Sequence, residues 1–134
     1  AELVKMTAEV LSADGVCNCT LPSGETAALK PGMILPDGTV ITTEAEAKAS
    51  LRLGNSSKLD IEPSTQVVLS RMDGTEHKPG EPRFVEKEGV LTETGVSVVN
   101  IEVKRGKVTG DTRGVNKNSQ YTIRTPVGTT RIRG

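Results

Sequence analysis

Aromatic residues, histidine and long apolar runs are what this sequence has least of. Aromatic side chains make up 1% of the 134 residues, with one Phe, one Tyr and no Trp. The core must therefore be built from Val, Ile, Leu and Ala, which argues against an immunoglobulin-type sandwich with its central Trp. The shortage also argues against stacking of sugars on aromatic faces and against single-stranded nucleic-acid binding, which needs aromatic side chains in a basic groove.

Catalytic chemistry has few residues to draw on. The single histidine, His77, lies among Gly and Pro residues, so a Ser or Cys nucleophile lacks an evident base. Neither a Gly-flanked nucleophile elbow nor a phosphate-binding Gly loop occurs. The acidic pairs Asp60 with Glu62 and Glu44 with Glu46 occupy alternate positions, as on any solvated strand face. We therefore predict no catalytic residue, no metal and no cofactor.

Cysteine is limited to Cys17 and Cys19. In a strand their Cα atoms lie about 6.6 Å apart with parallel side chains, at the edge of disulfide geometry. A metal site needs more ligands than these two thiols. We expect two free thiols on one strand face, with a strained redox pair as the alternative.

Charge is balanced over the whole chain but not along it. The formal net charge is zero, yet residues from Asn100 onward carry +6 and the residues before them −6. We expect two oppositely charged layers to neutralise each other within one fold, with a basic binding face as the alternative. Zero net charge gives no overall field to attract nucleic acid, so no nucleic-acid partner is predicted.

Length and hydropathy predict a single domain over residues 1–134. A chain of this length buries roughly two thirds of the surface that its unfolded form exposes. No apolar run approaches the roughly 18 residues needed to span a bilayer, so no membrane-spanning segment is expected. The first residue is Ala1 rather than Met, which is expected of a fragment of a longer protein.

Apolar and polar residues alternate along most of the chain, as in half-buried strands. Such strands are predicted around residues 4–10, 59–61, 67–69, 99–103 and 121–123. Asp14-Gly15 is typical of a two-residue hairpin turn that pairs the first of these strands with residues 16–21. Short strands separated by frequent turns predict an all-β fold, solenoid-like or sandwich-like, rather than alternating strands and helices.

Residues 43–54 give conflicting signals. Their Ala, Glu and Lys content favours a helix, and Thr43 with Glu46 imitates a capping box. The apolar residues, however, alternate strictly from Ala45 to Leu53, which a helix would scatter around its circumference. We predict a strand over residues 45–53. The charged residues 72–88, rich in Gly and Pro, are predicted to form a long excursion or a hairpin tip.

Three stretches, in this order, resemble the FecR domain family. They are residues 29–43, with Lys30-Pro31-Gly32 and Pro36-Asp37-Gly38; residues 49–67, with Pro63-Ser64-Thr65; and residues 125–134, Thr125-Pro126-Val127-Gly128-Thr129-Thr130-Arg131-Ile132-Arg133-Gly134. Asn55-Ser56-Ser57 stands where the family usually has Asp-Gly-Ser. The motif residues are expected to have structural roles, with Arg133 buried against backbone carbonyls. They are Gly32, Gly38, Pro63, Thr65, Thr125, Pro126, Gly128, Arg133 and Gly134.

The resemblance implies a FecR-type β domain in the bacterial periplasm or outside the cell. It implies a non-catalytic interaction or sensory module with a protein partner in the envelope, in signalling members as part of the relay to a sigma-factor system. A module that binds polysaccharide or cell wall is the alternative. The strand over residues 127–133 is expected at a sheet edge, where it could pair with a second copy.

Overall fold

Strands account for all the regular secondary structure that the structure describes. The structure is a computed structural model that describes residues 2–132, and the side chains of residues 2–128. No helix occurs in that range, which confirms the predicted all-β class, and no sheet in it closes into a barrel. The strands are β1 (Leu3–Lys5), β2 (Thr7–Asp14), β3 (Cys17–Thr20), β4 (Thr26–Ala28), β5 (Ile34–Pro36), β6 (Val40–Thr43), β7 (Lys48–Leu53), β8 (Lys58–Ile61), β9 (Gln66–Thr75), β10 (Phe84–Lys87), β11 (Val90–Glu93), β12 (Ser97–Arg105), β13 (Val108–Asp111), β14 (Gln120–Thr125) and β15 (Gly128–Ile132).

The strands form two large sheets and one separate hairpin. The eight-stranded sheet has the order β15-β14-β12-β9-β6-β3-β4, and β1 pairs with the far end of β9. The five-stranded sheet has the order β13-β8-β7-β2-β5. All neighbours are antiparallel except β12 and β14, which run parallel. The hairpin of β10 and β11 stands apart from both sheets.

The chain repeatedly crosses from one large sheet to the other. It does so from β1 to β2, β2 to β3, β4 to β5, β5 to β6, β6 to β7, β8 to β9, β12 to β13 and β13 to β14. After each crossing, two consecutive strands lie in opposite sheets. Their side chains then pack against each other, whereas their backbones form no hydrogen bonds with each other. The inward residues form one aliphatic core that includes Val10, Ile41, Leu51, Leu59 and Ile101. The predicted aliphatic core is therefore present, with Tyr121 buried in it.

The predicted hairpin at Asp14-Gly15 is wrong. β2 pairs with β5 and β7, whereas β3 pairs with β4 and β6 in the other sheet. Gly15 has a φ of 78°, and a Cβ on it would lie 3.1 Å from Ala47. The turn thus packs on the neighbouring crossing from β6 to β7, where the Glu44 N–H donates to the Val16 carbonyl at 3.0 Å.

The predicted strand over residues 45–53 is confirmed only in its second part. β7 begins at Lys48, whereas Ala45 and Glu46 form a turn, with Glu46 at a φ of 66°. The turn is needed because β6 and β7 lie in different sheets. Side-chain alternation continues through a turn of this length, so it concealed the crossing.

The predicted excursion over residues 72–88 is shorter than expected. Residues Met72 to Thr75 complete β9, and Met72 is fully buried. The irregular part covers residues 76–83 and leads into the β10–β11 hairpin. The strands predicted around Leu59, Val67, Val99 and Tyr121 are all present.

Candidate functional site

The two large sheets differ in length at the end formed by β13 and β14. The eight-stranded sheet continues past β12 with β14 and β15, whereas the five-stranded sheet ends at β13. Tyr121 of β14 is buried, but Ile123 and Thr125 on the same strand are only partly covered. The uncovered inner face forms a hollow of about 320 Å³, which we call the β13 groove. It is lined by Val103, Gly106, Lys107, Val108, Gly110, Ile123 and Thr125.

The lining of the β13 groove is mainly aliphatic. Val103 contributes from β12, Ile123 from β14 and Val108 from β13. Gly110 lies two residues beyond Val108, so both positions face the same side of the strand. Gly110 has no side chain to occupy its part of the groove, and a Cβ there would meet only the Lys58 carbonyl oxygen, at 3.4 Å. The groove therefore owes part of its width to this glycine.

The turn from β12 to β13 is fastened by Thr65. The Lys107 N–H donates to Oγ1 of Thr65 at 3.0 Å, and that hydroxyl lies 3.1 Å from the Pro63 carbonyl, to which it donates. Gly106 has a φ of 84°, and a Cβ on it would overlap Thr65. A larger residue at Gly106 is thus excluded by both backbone conformation and space. Thr65, which is fully buried, sets the position of β13 relative to β9.

One edge of β13 carries no partner strand within residues 2–132. β8 pairs with β13 on the other edge. The Glu62 N–H donates to the Lys107 carbonyl at 3.0 Å, so residues 107 and 62 stand at the position of a hydrogen-bonded pair, although the Lys107 N–H donates to Thr65 instead. Because such pairs alternate along an antiparallel ladder, Thr109 and Asp111 also bond towards β8. The N–H and C=O groups of Val108 and Gly110 therefore point to the open edge, beside the groove.

Three basic residues belong to the strands and the turn that form the groove. Arg105 ends β12, Lys107 lies in the turn before β13 and Arg124 lies on β14, and all three are exposed. In the strand pairing Arg124 stands opposite Glu102, and Arg105 stands opposite Gln66, on the face of the eight-stranded sheet that points away from the groove. Glu102 pairs with Lys104 at 3.1 Å and Asp111 pairs with Arg113 at 2.7 Å. Both acidic residues of the C-terminal segment are thus bound to bases of that segment.

The observed ion pairs do not support the predicted neutralisation between two charged layers. No ion pair in the described part of the chain joins the residues before Asn100 to those after it. Within the same range Arg105, Lys107 and Arg124 have no carboxylate partner. Both the neutralisation of the two layers and the basic face stay predictions.

Asp111 is the last residue of β13 and lies at the end of its open edge. Arg113 donates to it from Nε at 2.9 Å and from Nη2 at 2.7 Å. These hydrogen bonds, with one from the Arg113 backbone, lower the pKa of Asp111 to about 2. The carboxylate therefore stays ionised and held by Arg113 at neutral pH.

The family-motif residues lie mostly at turns. Gly32 and Gly38 have φ values of 89° and 87°, and the Gly38 N–H donates to the Leu69 carbonyl at 2.5 Å. Pro63 lies in the turn between β8 and β9. Of these residues, the structure brings Thr65 against the β12–β13 turn and Thr125 into the β13 groove. It keeps Gly32 and Gly38 away from the groove.

The last motif forms a hairpin in the part that the structure describes. Pro126 and Val127 are its two turn residues, because Thr125 pairs with Gly128 across β14 and β15. Oγ1 of Thr125 lies 3.1 Å from the Gly128 carbonyl oxygen. The predicted strand thus begins at Gly128 rather than Val127, and β15 lies at the sheet edge, as expected. Arg133 and Gly134 lie outside the described residues.

The residues with catalytic potential do not form an accessible site. Ser119 Oγ donates to Glu93 Oε1 at 2.9 Å, but both residues are at least nine-tenths buried. Burial raises the pKa of Glu93, against the hydrogen bonds that it accepts from Ser97, Ser119 and the Asn116 N–H. This carboxylate fastens the loop between β13 and β14 onto β11.

The other residues considered as chemical candidates are dispersed. His77 contacts the Thr75 carbonyl and the Thr94 hydroxyl, at 2.9 and 2.8 Å. Glu44 lies before the turn that contains Glu46, and Glu62 follows the end of β8, so neither acidic pair lies on one strand face. Among residues 2–132 no group of three His, Cys, Asp or Glu side chains is arranged to hold a metal. The same range contains no helix with the length and apolar character that crossing a membrane requires.

A second hollow, of about 240 Å³, lies between β2 and the β10–β11 hairpin. Its walls include Met6, Ile34 and Phe84 together with Glu9 and Arg52. The β2 backbone beside it already pairs with β5 and β7. It offers no open strand edge of β2, which sets it apart from the β13 groove.

Sequence reasoning missed the groove because it missed β13. Val108-Thr109-Gly110-Asp111 contains one apolar residue, so it shows no alternation. The available signal was Gly110, since a lone glycine in a strand often marks a close approach of another chain segment. No family model matches this chain, and comparisons with curated proteins and with solved structures find no match either.

Proposed function

We propose that this chain is a non-catalytic interaction module of the FecR-like kind, acting in the bacterial periplasm or outside the cell. It binds an extended segment of a protein partner in the β13 groove, and such binding would be its contribution to signalling to a sigma-factor system. The observation that carries the proposal is the coincidence of an apolar hollow with an open strand edge at β13.

Strand addition suits this geometry. An added strand gains affinity from main-chain hydrogen bonds and specificity from pockets that take alternate side chains. Val108 and Gly110 offer two N–H and two C=O groups at the open edge. The side chains of Val103, Val108 and Ile123 provide the pocket on the inner side of that edge.

The FecR-like assignment rests on the three sequence stretches, and the places of their residues support it. Gly38, Pro63 and Thr65 lie at turns between strands of different sheets, where the resemblance expects residues with structural roles. Repeated crossing between two sheets around one core supports a solenoid-like or sandwich-like architecture of this type.

Binding to acidic polysaccharide is the second candidate function. The observation in its favour is the exposed basic set of Arg105, Lys107 and Arg124. Such binding would rest on charge and would weaken steeply with salt. It would not need the aliphatic lining of the groove, and this difference separates the two candidates.

The test compares two valine substitutions on one strand. Gly110→Val fills the groove, whereas Thr109→Val places the same side chain on the opposite, exposed face of β13. The wild type and both variants are used to capture proteins from bacterial envelope extract, and are also assayed on an array of acidic glycans. We expect a protein that Gly110→Val loses and Thr109→Val keeps. The proposal would be overturned if Gly110→Val captured the same proteins as the wild type. It would also be overturned if both variants kept a salt-sensitive binding to glycans.

A further inference from the structure

We infer that the chain has a separate site for a small monocarboxylic acid, in a polar hollow where Arg52 and Ser56 hold the carboxylate. The hollow has a volume of about 150 Å³. Its lining comes from the β7–β8 turn, the tip of the β10–β11 hairpin and the end of β13 with the loop after it, and we call it the arginine hollow. Asp111 lines it and Gly110 lines the β13 groove, so the two sites lie on opposite faces of β13. The inference therefore does not depend on the proposed function.

Arg52 is the main hydrogen-bond donor of the arginine hollow. It donates from Nη1 to the Ser56 carbonyl at 2.8 Å, which holds its guanidinium at the β7–β8 turn. A guanidinium has five N–H donors, so Arg52 keeps several for a ligand. Among the described residues no carboxylate lies within ion-pair distance of Arg52. Its cross-strand neighbours are Glu9, which lines the second hollow, and Lys58, which pairs with Asp60 at 3.8 Å.

Ser56 gives an independent sign of a ligand. It is 2% exposed, and its Oγ has no hydrogen-bond partner in the part of the chain that the structure describes. A Cβ on Gly114 would lie 2.9 Å from this oxygen, and both residues line the arginine hollow, so the hydroxyl lies in its wall. A buried hydroxyl without a partner costs free energy, and the left-handed φ of 75° adds backbone strain of the kind found at ligand sites. An acceptor bound in the hollow would remove the first of these costs.

The charge of the lining specifies the charge of the ligand. Two guanidinium groups, of Arg52 and Arg113, and the carboxylate of Asp111 line the arginine hollow, which leaves one positive charge. Arg113 donates to Asp111 from Nε at 2.9 Å and from Nη2 at 2.7 Å, so its charge is already balanced. A singly charged anion balances the charge of Arg52, whereas the second charge of a dianion would be repelled by Asp111.

Shape and size favour a carboxylate among the singly charged anions. Its two oxygens lie in one plane and match the planar donors of a guanidinium. The volume equals that of a roughly 150 Å³ cavity that holds one benzene-sized group, which leaves room for a carboxylate and a few neighbouring atoms. A phosphodiester carries two substituents and would have to leave at least one outside. We expect one carboxylate oxygen to accept from Arg52 and the other from Ser56.

The experiment adds simple anions to the full chain and follows its amide chemical shifts. Sodium acetate, chloride, sulfate and dimethyl phosphate are compared at matched ionic strength. We expect acetate to shift the amide signals of Ser56, Val90 and Gly114 in a saturable way, and chloride to leave them unchanged. Sulfate and dimethyl phosphate should bind more weakly than acetate. Glucuronate, whose sugar ring exceeds the hollow, should also bind more weakly.

Two variants with matched controls tie the binding to the assigned donors. Arg52→Gln and Ser56→Gly should each weaken acetate binding about tenfold, because each removes a hydrogen bond to a charged group. Lys48→Gln removes a positive charge from the same face of β7 outside the hollow and should leave the affinity unchanged. Ser64→Gly, at an exposed left-handed position, should also leave it unchanged. Saturating acetate should stabilise the wild type more than Ser56→Gly, since only the wild type gains the bond from this hydroxyl.

Asp111→Asn tests the charge argument. It releases Arg113 and removes the repulsion, so acetate should bind more tightly and sulfate should gain more than acetate does. Equal gains for the two anions would overturn the assigned balance of charge.

The remaining outcomes decide the site and its ligand. Equal shifts with chloride and acetate, or no saturable shift with acetate, would overturn the site. Tighter binding of sulfate than of acetate would overturn the singly charged ligand, and tighter binding of dimethyl phosphate or glucuronate would overturn the small carboxylic acid. Acetate binding that Arg52→Gln or Ser56→Gly leaves unchanged would overturn the assigned donors.

Discussion

Ser57 and Tyr121 join the two large sheets by a hydrogen bond between their side-chain oxygens, which lie 3.2 Å apart. Ser57 belongs to the turn between β7 and β8 of the five-stranded sheet, and Tyr121 belongs to β14 of the eight-stranded sheet. Ser57 Oγ also lies 2.6 Å from Oδ1 of Asn55, to which it donates. All three residues are fully buried, so this polar chain fixes how the sheets meet close to the groove.

Tyr121 should ionise only at very high pH. Burial raises its pKa to about 12, against the hydrogen bond with Ser57. Because the unfolded chain loses this proton at a lower pH, stability should fall as the pH rises from about 10. Tyr121 is the single tyrosine of the chain, so tyrosinate absorbance reports it without interference.

Tyr121→Phe is the matched variant for that titration. It should cost about 1 kcal/mol of the free energy of unfolding at neutral pH, because one buried hydrogen bond is lost. It should also remove the alkaline loss of stability that Tyr121 causes. Tyrosinate absorbance of the folded wild type rising near pH 10 would contradict the buried position.

Ser56→Gly should stabilise the protein. Ser56 has a φ of 75°, in the left-handed region, and within the described residues its buried hydroxyl has no hydrogen-bond partner. Glycine removes both the backbone strain and the buried, unpaired hydroxyl. We expect the free energy of unfolding to rise by about 1 kcal/mol, after the entropic penalty of the glycine itself. Chemical denaturation measures the gain.

Ser64→Gly is the control for the backbone part of that gain. Ser64 has a φ of 54° but is exposed. Ser64→Gly should raise the free energy of unfolding by less than Ser56→Gly does. The difference between the two variants measures the cost of burying the unpaired Ser56 hydroxyl. A loss of stability on Ser56→Gly would mean that its hydroxyl is hydrogen-bonded in solution.

Glu93→Gln should change how stability depends on pH. Burial raises the pKa of Glu93 in the folded protein, so the folded state binds this proton more tightly than the unfolded state. The Glu93 contribution to stability must then fall as the pH rises from the ordinary glutamate pKa through the raised value. The variant lacks this fall, and the difference between its pH profile and that of the wild type isolates Glu93.

Glu86→Gln, an exposed change on β10, is the control for replacing a glutamate by glutamine elsewhere in the same hairpin. A wild type whose stability rises relative to Glu93→Gln over the same range would show that hydrogen bonds from Ser97 and Ser119 outweigh burial. That result would reverse the sign of the prediction.

Cys17 and Cys19 should resist thiol reagents in the folded protein. Both are free, with exposed fractions of 4% and 1%, and burial raises the pKa of each thiol. Thiol titration without reductant should find neither reactive in native buffer and both reactive in denaturant. Ser70→Cys, at an exposed position of β9, should react at once and serves as the positive control. Fewer than two thiols in denaturant would indicate a disulfide.

The all-β class was predictable because alternation survives wherever a strand has one buried face. β12 shows this clearly, since Val99, Ile101 and Val103 face inward and the residues between them do not. Which strands pair was not predictable from alternation. Asp14-Gly15 suits both a hairpin and a crossing between sheets, and only the tertiary contacts of the turn with Ala47 and Glu44 decide between them.

The β13 groove could not be predicted from the sequence, because it arises where one sheet extends further than the other. Neither Val108 nor Ile123 carries a signal of being uncovered, since each also suits a complete core. The charge asymmetry was visible, but alternation could not show that Glu102 and Asp111 would pair within their own segment.

The repeated crossing between sheets has a consequence for folding. A hairpin can close its hydrogen-bond ladder from its turn outward, but consecutive strands in opposite sheets share no ladder. β12 and β14 make this explicit, because their parallel pairing forms only after the chain has left for the other sheet and returned. Folding dominated by such non-local pairings takes about milliseconds to seconds. The strands of the two large sheets are interleaved along the chain and share one core, so the chain should reach its native state in one cooperative step.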